Sequence, residues 1–319
     1  MTADFDALLR LADFRALFLA DFRAPFFVLF PAGRLAAFRA VFFGDFLAVF
    51  RLAFFDDFRA AFLADFLVVF LAVFLAAFSS PAKALLPASI PAGVVALKLV
   101  NHGQELHQAQ LIKLEEGKTL EDLGKAVSSG GPPPAWVKFV GGPNGIAPGA
   151  ETQATSVLEP GQYAYICFIP SPDGKMHAAK GMARPFVVTA GSKASVTQPP
   201  AADVTIKLVD YDFQSSQPLK PGRQTIEVEN AGPQPHELVL LRLAPGKKVE
   251  DFATWSETGM KGPPPAEPLG GVTLLDKGAR GTFTANLTPG EYGFICYFPD
   301  GKDGKPHLAH GMMKTIKVG

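Results

Sequence analysis

Hydrophobic and polar positions alternate in short runs throughout the chain after residue 85, which is the pattern of β-strands with one face on a core. Gly and Pro are frequent between these runs and predict turns. Two segments instead have the spacing of short amphipathic helices, at 119–127 and 249–255, and Thr119 with Asp122 resembles a capping box. Many short strands with one helical excursion predict an all-β Greek-key sandwich.

The strand pattern occurs twice, because the second half of the chain repeats the first. Asn101 and Asn230 are 129 positions apart, and the same offset separates Cys167 from Cys296. LEPGQYAYICFIP matches LTPGEYGFICYFP at that offset. A unit of this size is a domain, so the repeat predicts two tandem sandwiches.

The repeat and the changes in composition predict the domain boundaries. We expect a first domain at 85–190, a small, polar, Pro-containing linker at 191–202, and a second domain at 203–319. The second domain opens with the strand pattern VTIKLVDYDF. The equivalent stretch of the first copy, 75–84, has a different pattern, so the first domain is expected to lack a regular opening strand.

Residues 1–84 form a low-complexity segment rich in Phe, Ala and Leu, which we do not expect to be a globular domain. Three interpretations stay open. In the first interpretation the stretch is a membrane-active segment, although its longest uncharged run, 66–78, is shorter than the roughly 20 residues of a spanning helix. Alternatively, it is a secretory signal with a forward extension, or a start assigned too far upstream in GC-rich DNA. Membrane association therefore stays open.

Charge and cysteine content narrow the classes of function. Thirty basic and 30 acidic residues give a formal net charge of zero, so no basic face for nucleic acid is expected. Two cysteines cannot form a disulfide framework. Since Cys167 and Cys296 occupy the same place in separate domains, we predict that they are not bridged to each other.

Potential metal ligands recur at matching places in the two copies. A Cys ends an aromatic strand, one His lies before it, and a second His precedes a Met by five residues. The candidates are His107, Cys167, His177 and Met182 in the first copy, and His236, Cys296, His307 and Met312 in the second. A thiolate, two imidazoles and a weak thioether are the donors that suit copper. His310 is an alternative to His307, and a metal-free, structural role for each residue also stays open.

These motifs resemble the cupredoxin (blue, type 1 copper) family. The resemblance rests on Asn-x-Gly-x-x-x-His early in each copy, on Tyr-x-x-x-Cys and His-x4-Met late in each copy, and on the plastocyanin-like closing segment HLAHGMMKTIKV. It covers residues 88–319. It implies that each Cys and its two His are strong copper ligands and that each Met is an axial ligand.

The chain departs from the family pattern in three ways. Nine or ten residues separate each Cys from the following His, more than in small blue copper proteins and closer to copper nitrite reductases. Gln108 and Glu237 follow the first His, where Asn is common. No His-x-His pair occurs, so the His cluster of multicopper oxidases is not expected.

The resemblance implies a periplasmic or extracellular copper protein that transfers single electrons to a redox partner protein. Such a protein is an electron carrier rather than an enzyme, and no catalytic residues are assigned. The alternatives are a copper-handling module without a redox role, a metal-free binding domain, and a nitrite-reductase-like enzyme. The second site is expected to be the better one, because its domain has every strand.

Overall fold

The computed structural model describes residues 87–127, 133–190 and 198–319. The low-complexity segment 1–84 and residues 191–197 of the expected linker lie outside this part of the chain. Within the described residues, no helix is long and apolar enough to cross a membrane.

The described part of the first copy is built mainly from short strands, as the alternating pattern predicted. In chain order they are β1 (Ser89–Pro91), β2 (Gly93–Val100), β3 (Gln110–Leu114), β4 (Val137–Phe139), β5 (Glu151–Leu158), β6 (Gly161–Ile166) and β7 (Ala183–Thr189). Helix α1 (Leu120–Val127) lies between β3 and β4, and a 3-10 helix (His177–Lys180) precedes β7. The capping box forms, because the Thr119 and Asp122 side chains each accept the other residue's main-chain N–H.

From β10 onwards the second copy repeats the order that the first shows from β2 onwards, and a hairpin precedes it. Its strands are β8 (Val204–Val209), β9 (Asp212–Ser215), β10 (Gly222–Asn230), β11 (His236–Leu243), β12 (Ala266–Leu275), β13 (Arg280–Leu287), β14 (Gly290–Ile295) and β15 (Met313–Val318). Helix α2 (Val249–Glu257) follows β11, and a 3-10 helix (His307–His310) precedes β15.

The strands form two sandwiches that share one sheet. One sheet of the first copy has the order β1-β7-β6-β3-β4, and one of the second has the order β12-β11-β14-β15. A six-stranded sheet, β2-β5-β13-β10-β8-β9, provides the second layer of both. The fold class predicted from the sequence is therefore confirmed, whereas the shared sheet was not predicted.

The two copies meet through equivalent residues, as in a twofold-symmetric dimer. Strand β5 pairs antiparallel with β13, and Ala154 lies opposite Phe283, its counterpart at the 129-residue offset. A second contact repeats this relation, because Pro143 forms an isolated antiparallel bridge with Val272. The duplicated domains thus face each other as a pseudo-symmetric pair within one chain.

Within the described residues, the second core is packed more completely than the first, and the hairpin of β8 and β9 contributes to it. Strand β8 pairs in parallel with β10, and β10 buries Ile226 fully. Strand β2 is instead at the edge of the shared sheet, and its equivalent residue Leu97 is only half-buried. The counterpart of the hairpin, 75–84, lies outside the described residues, so the predicted absence of an opening strand stays a prediction.

A buried tyrosine ties down the turn before each Cys-bearing strand. The Tyr163 hydroxyl donates to the main-chain oxygen of Glu159 at 2.9 Å, and the Tyr292 hydroxyl donates to that of Thr288 at 3.0 Å. This is the tyrosine corner of Greek-key sandwiches. The Tyr of the Tyr-x-x-x-Cys motif therefore has a structural role, since it fixes the start of the strand that carries the Cys.

Candidate metal centres

Three of the four candidate ligands of the first copy converge in the fold. The Nδ1 atoms of His107 and His177 are 3.1 Å apart, and Cys167 Sγ lies 3.3 Å from His177 Nδ1. All three side chains are buried, and their donor atoms lie within 4.8 Å of one another.

The second copy repeats this cluster at the equivalent place. The Nδ1 atoms of His236 and His307 are 3.0 Å apart, and Cys296 Sγ lies 3.6 Å from His307 Nδ1. All three residues are fully buried. The alternative ligand His310 lies outside the cluster, where its Nε2 contacts Asp303 Oδ1 at 3.1 Å.

The Asn-x-Gly motif places the first His of each cluster. Asn101 Oδ1 accepts the main-chain N–H of Gly103 at 2.9 Å, and Asn230 forms the same turn with Gly232. The His107 ring packs so closely on Gly103 that a β-carbon there would lie 2.7 Å from its Nε2. Asn therefore shapes the turn, and Gly leaves room for the imidazole.

The second His and the Met are anchored beside the Cys by main-chain hydrogen bonds. In the second copy the Met312 N–H donates to His307 O at 3.0 Å, and the Cys296 N–H donates to Met312 O at 3.2 Å. The first copy forms the same pair of bonds around Met182. Each Met thus lies next to its Cys. Met312 is fully buried in the second core, and Met182 is half-buried.

Burial sets the protonation of the donors. It lowers the pKa of His107 to about 4, with a further lowering from His177. It lowers the pKa of His307 to about 4 in the same way, with His236 contributing. Burial also raises the pKa of both thiols. The imidazoles of His107 and His307 are thus neutral and able to bind a cation at neutral pH, whereas each thiol needs a bound metal to lose its proton.

Each cluster has a carboxylate on an outer imidazole nitrogen, but the two carboxylates come from different places. In the first copy Glu105 Oε2 lies 2.7 Å from Nε2 of His177. In the second copy Asp210 Oδ1, in the turn between β8 and β9, lies 2.7 Å from Nε2 of His236. Such contacts fix the tautomer and orientation of a metal-binding imidazole. Sequence reasoning missed both carboxylates, because they occupy positions that the repeat does not relate.

The donor separations fit one metal ion in each cluster. Imidazole nitrogens at about 2.0 Å and a thiolate at about 2.3 Å from a common ion lie roughly 3 to 3.7 Å apart. In both clusters the distance between the two imidazole nitrogens and the distance from the Cys sulfur to the second His are within this range. Two imidazoles and a thiolate, with a thioether residue adjacent, match the preference of copper. Neither thiol is in a disulfide, as predicted.

A Greek-key sandwich with a buried cluster of one Cys and two His at the end of its Cys-bearing strand defines a cupredoxin-like domain with a candidate copper site, and the described part of the chain contains two. The resemblance drawn from the sequence is confirmed at the level of the fold.

Comparisons with known proteins give structural matches alone: no family model and no curated protein matches. Auracyanin B is 22% identical, with a TM-score of 0.28 over 39% of this chain and 93% of its own. An auracyanin of the photosynthetic bacterium Roseiflexus castenholzii is 22% identical, with a TM-score of 0.26 over 37% and 99%. The blue copper oxidase of Nitrosomonas europaea is 17% identical, with a TM-score of 0.21 over 72% and 75%.

Proposed function

We propose that this chain binds copper in both clusters of one Cys and two His and transfers single electrons, with Met182 and Met312 as axial ligands. The observation that carries the proposal is the convergence of buried Cys and His donors at equivalent places in the two domains. Donors already placed by strands and main-chain hydrogen bonds move little when the charge of the metal changes. A site that moves little exchanges electrons with a small reorganisation energy.

Copper handling without a redox role is the second candidate. A protein that hands copper on needs ligands that can leave the metal and reach a partner. Here the candidate donors of the second cluster are fully buried, and its Cys and second His are joined through the main chain of Met312. This rigidity favours electron transfer over exchange of the metal.

The approach of a redox partner protein is part of the proposal. A cleft between the domains is lined by Glu105, Pro170, Arg242 and Trp255, among others. Since Glu105 also contacts His177, a partner in this cleft would be one side chain away from the first cluster. We further propose a periplasmic or extracellular location, which the interpretation of the N-terminal segment as a secretory signal supports.

Redox cycling of the copper-loaded chain tests the proposal. We expect a reversible one-electron wave for each centre and full recovery of the oxidised absorption spectrum after reduction and reoxidation. The variant Cys167→Ser should lose the wave of the first centre, and Cys296→Ser that of the second. Copper that is released on reduction would favour handling, and a chain that takes up no copper would favour a metal-free binding domain.

A further inference from the structure

One side chain of the first domain reaches into the surroundings of the second cluster. Asn144 follows the bridge between Pro143 and Val272 and is fully buried. Its Nδ2 donates to Glu237 Oε2 at 3.0 Å. It also lies 3.2 Å from the main-chain oxygens of Leu238 and Val272. Every one of these acceptors belongs to the second domain.

Glu237 connects the two segments that carry the second cluster. It directly follows His236, and its Oε1 accepts the main-chain N–H of Tyr297, the residue after Cys296, at 3.2 Å. The side chain is almost completely buried. A buried carboxyl group is tolerated when hydrogen bonds satisfy its oxygens. Tyr297 satisfies one oxygen and Asn144 the other, so the first domain holds in place the residue that links the two ligand segments.

The arrangement operates in one direction only. The repeat equivalents of Asn144 and Glu237 are Thr273 and Gln108. The Thr273 hydroxyl donates to the main-chain oxygen of Gly142 at 3.2 Å and not to residue 108. Within the described residues, the side chain of Gln108 makes no hydrogen bond. The side-chain contact between Asn144 and Glu237 therefore has no counterpart at the equivalent positions beside the first cluster.

We propose that Asn144 is a positioning residue for the second copper centre, so that the first domain completes the surroundings of that centre. This inference rests on the proposed copper function. Glu237 occupies the position after the first His, where Asn is common. It links the two ligand segments there, provided that Asn144 holds it in place.

Copper affinity in the full chain tests the inference, with Cys167→Ser as the parent so that the second cluster alone keeps its thiolate. A competition titration with a chromogenic Cu(I) chelator gives the dissociation constant. In this parent, Asn144→Ala should raise the dissociation constant about 10- to 100-fold, the range seen when a residue that orients a metal ligand is removed. Thr273→Ala, the matched change at the equivalent position, should leave it unchanged. Equal affinities for the two variants would overturn the inference while leaving the copper proposal intact.

Two further measurements separate positioning from general loss of structure. Glu237→Gln conserves size but places an amide donor against that of Asn144, so it should also weaken copper binding. If Asn144 acts through Glu237, the double variant should bind no more weakly than the weaker single variant, whereas additive losses would contradict this route.

The metal-free chain gives an independent readout, because amide exchange does not depend on copper. Exchange at the Tyr297 N–H should be faster in Asn144→Ala and unchanged in Thr273→Ala. Unaltered exchange in Asn144→Ala would contradict the inference. A parent that binds no copper would overturn the proposed function, and with it this inference.

Discussion

At the residue scale, each cluster contains one histidine, His107 or His307, that burial keeps neutral. Burial holds the pKa of His107 and His307 at about 4, against about 6.5 in an unfolded chain. Between these values the unfolded chain binds more protons than the folded one, so acid favours unfolding. The stabilisation is complete above pH 6.5 and is lost as the pH falls towards 4.

We therefore expect the thermal midpoint of the metal-free protein to fall between pH 7.5 and pH 5. Over the same range the free energy of unfolding should fall by a few kcal/mol in total, since each pKa unit corresponds to about 1.4 kcal/mol. His307→Gln should flatten this pH dependence. His102→Gln, a change at an exposed histidine, should not. A midpoint that is constant over this range would show that the buried imidazoles become protonated in the folded state as readily as in the unfolded chain.

The sulfur ligands of the second centre have separable roles in the proposal. In the copper-loaded chain, Cys296→Ser should abolish the visible absorption of this centre, because the band arises from thiolate-to-copper charge transfer. Met312→Leu should keep the band and change the reduction potential, because a weak axial ligand tunes the metal without holding it. His310→Ala, outside the cluster, is the control and should change neither quantity. Loss of copper in His310→Ala would show that His310 is a ligand.

The sequence identified the donors of both clusters but not the residues that support them. Cys167, Cys296 and their histidines stand out because the repeat places them at matching positions. Glu105 and Asp210 each contact the outer nitrogen of a candidate ligand histidine, His177 and His236 respectively. Their positions in the chain are not related by the repeat. The contact of Asn144 with Glu237 joins residues 93 positions apart across the domain boundary, and no local pattern indicates it.

At the scale of elements, the hairpin of β8 and β9 brings Asp210 to the second cluster. We expect Asp210→Asn to weaken copper binding at the second centre about 10-fold or more, because it removes the carboxylate that orients the His236 ring. Asp212→Asn is a matched control in the same hairpin, since Asp212 contacts the exposed Lys314 instead. Equal copper affinities for these two variants would show that the hairpin does not act through Asp210.

The same hairpin predicts unequal affinities for the two centres. Strand β10 lies between β8 and β13 in the sheet and buries its inner face, whereas among the described residues its counterpart β2 is an edge strand with a half-buried face. A less completely packed sandwich holds its ligands less firmly. Single-centre chains should therefore differ, with tighter copper binding in Cys167→Ser than in Cys296→Ser. Tighter binding by the first centre would contradict this link between packing and affinity.

Most strands were predictable from the sequence, because hydrophobic and polar residues alternate along a half-buried strand and because the same pattern occurs in both copies. Strand β1 was not, since its three residues are too few to show a period. Its parallel pairing with β7 also depends on tertiary contacts.

At the scale of the whole molecule, the duplication yields one structure rather than two independent domains. The shared sheet and the bridge between Pro143 and Val272 join the copies through equivalent residues. The repeat predicted two sandwiches but not their pairing, because a constant offset is compatible with any arrangement of the copies. The pairing matters for function, since it places Asn144 beside the second cluster.

The central claim is that each domain holds one copper ion through its Cys and two His. Titration of the full chain with Cu(II), followed by visible absorption and copper analysis, tests it most directly. We predict an intense charge-transfer band that saturates at two ions per chain, one for each cluster. Each single variant, Cys167→Ser or Cys296→Ser, should lose the part of the band that comes from its own centre. The double variant should lose the whole band. A full chain that takes up copper without this band, or a double variant that keeps it, would contradict the claim.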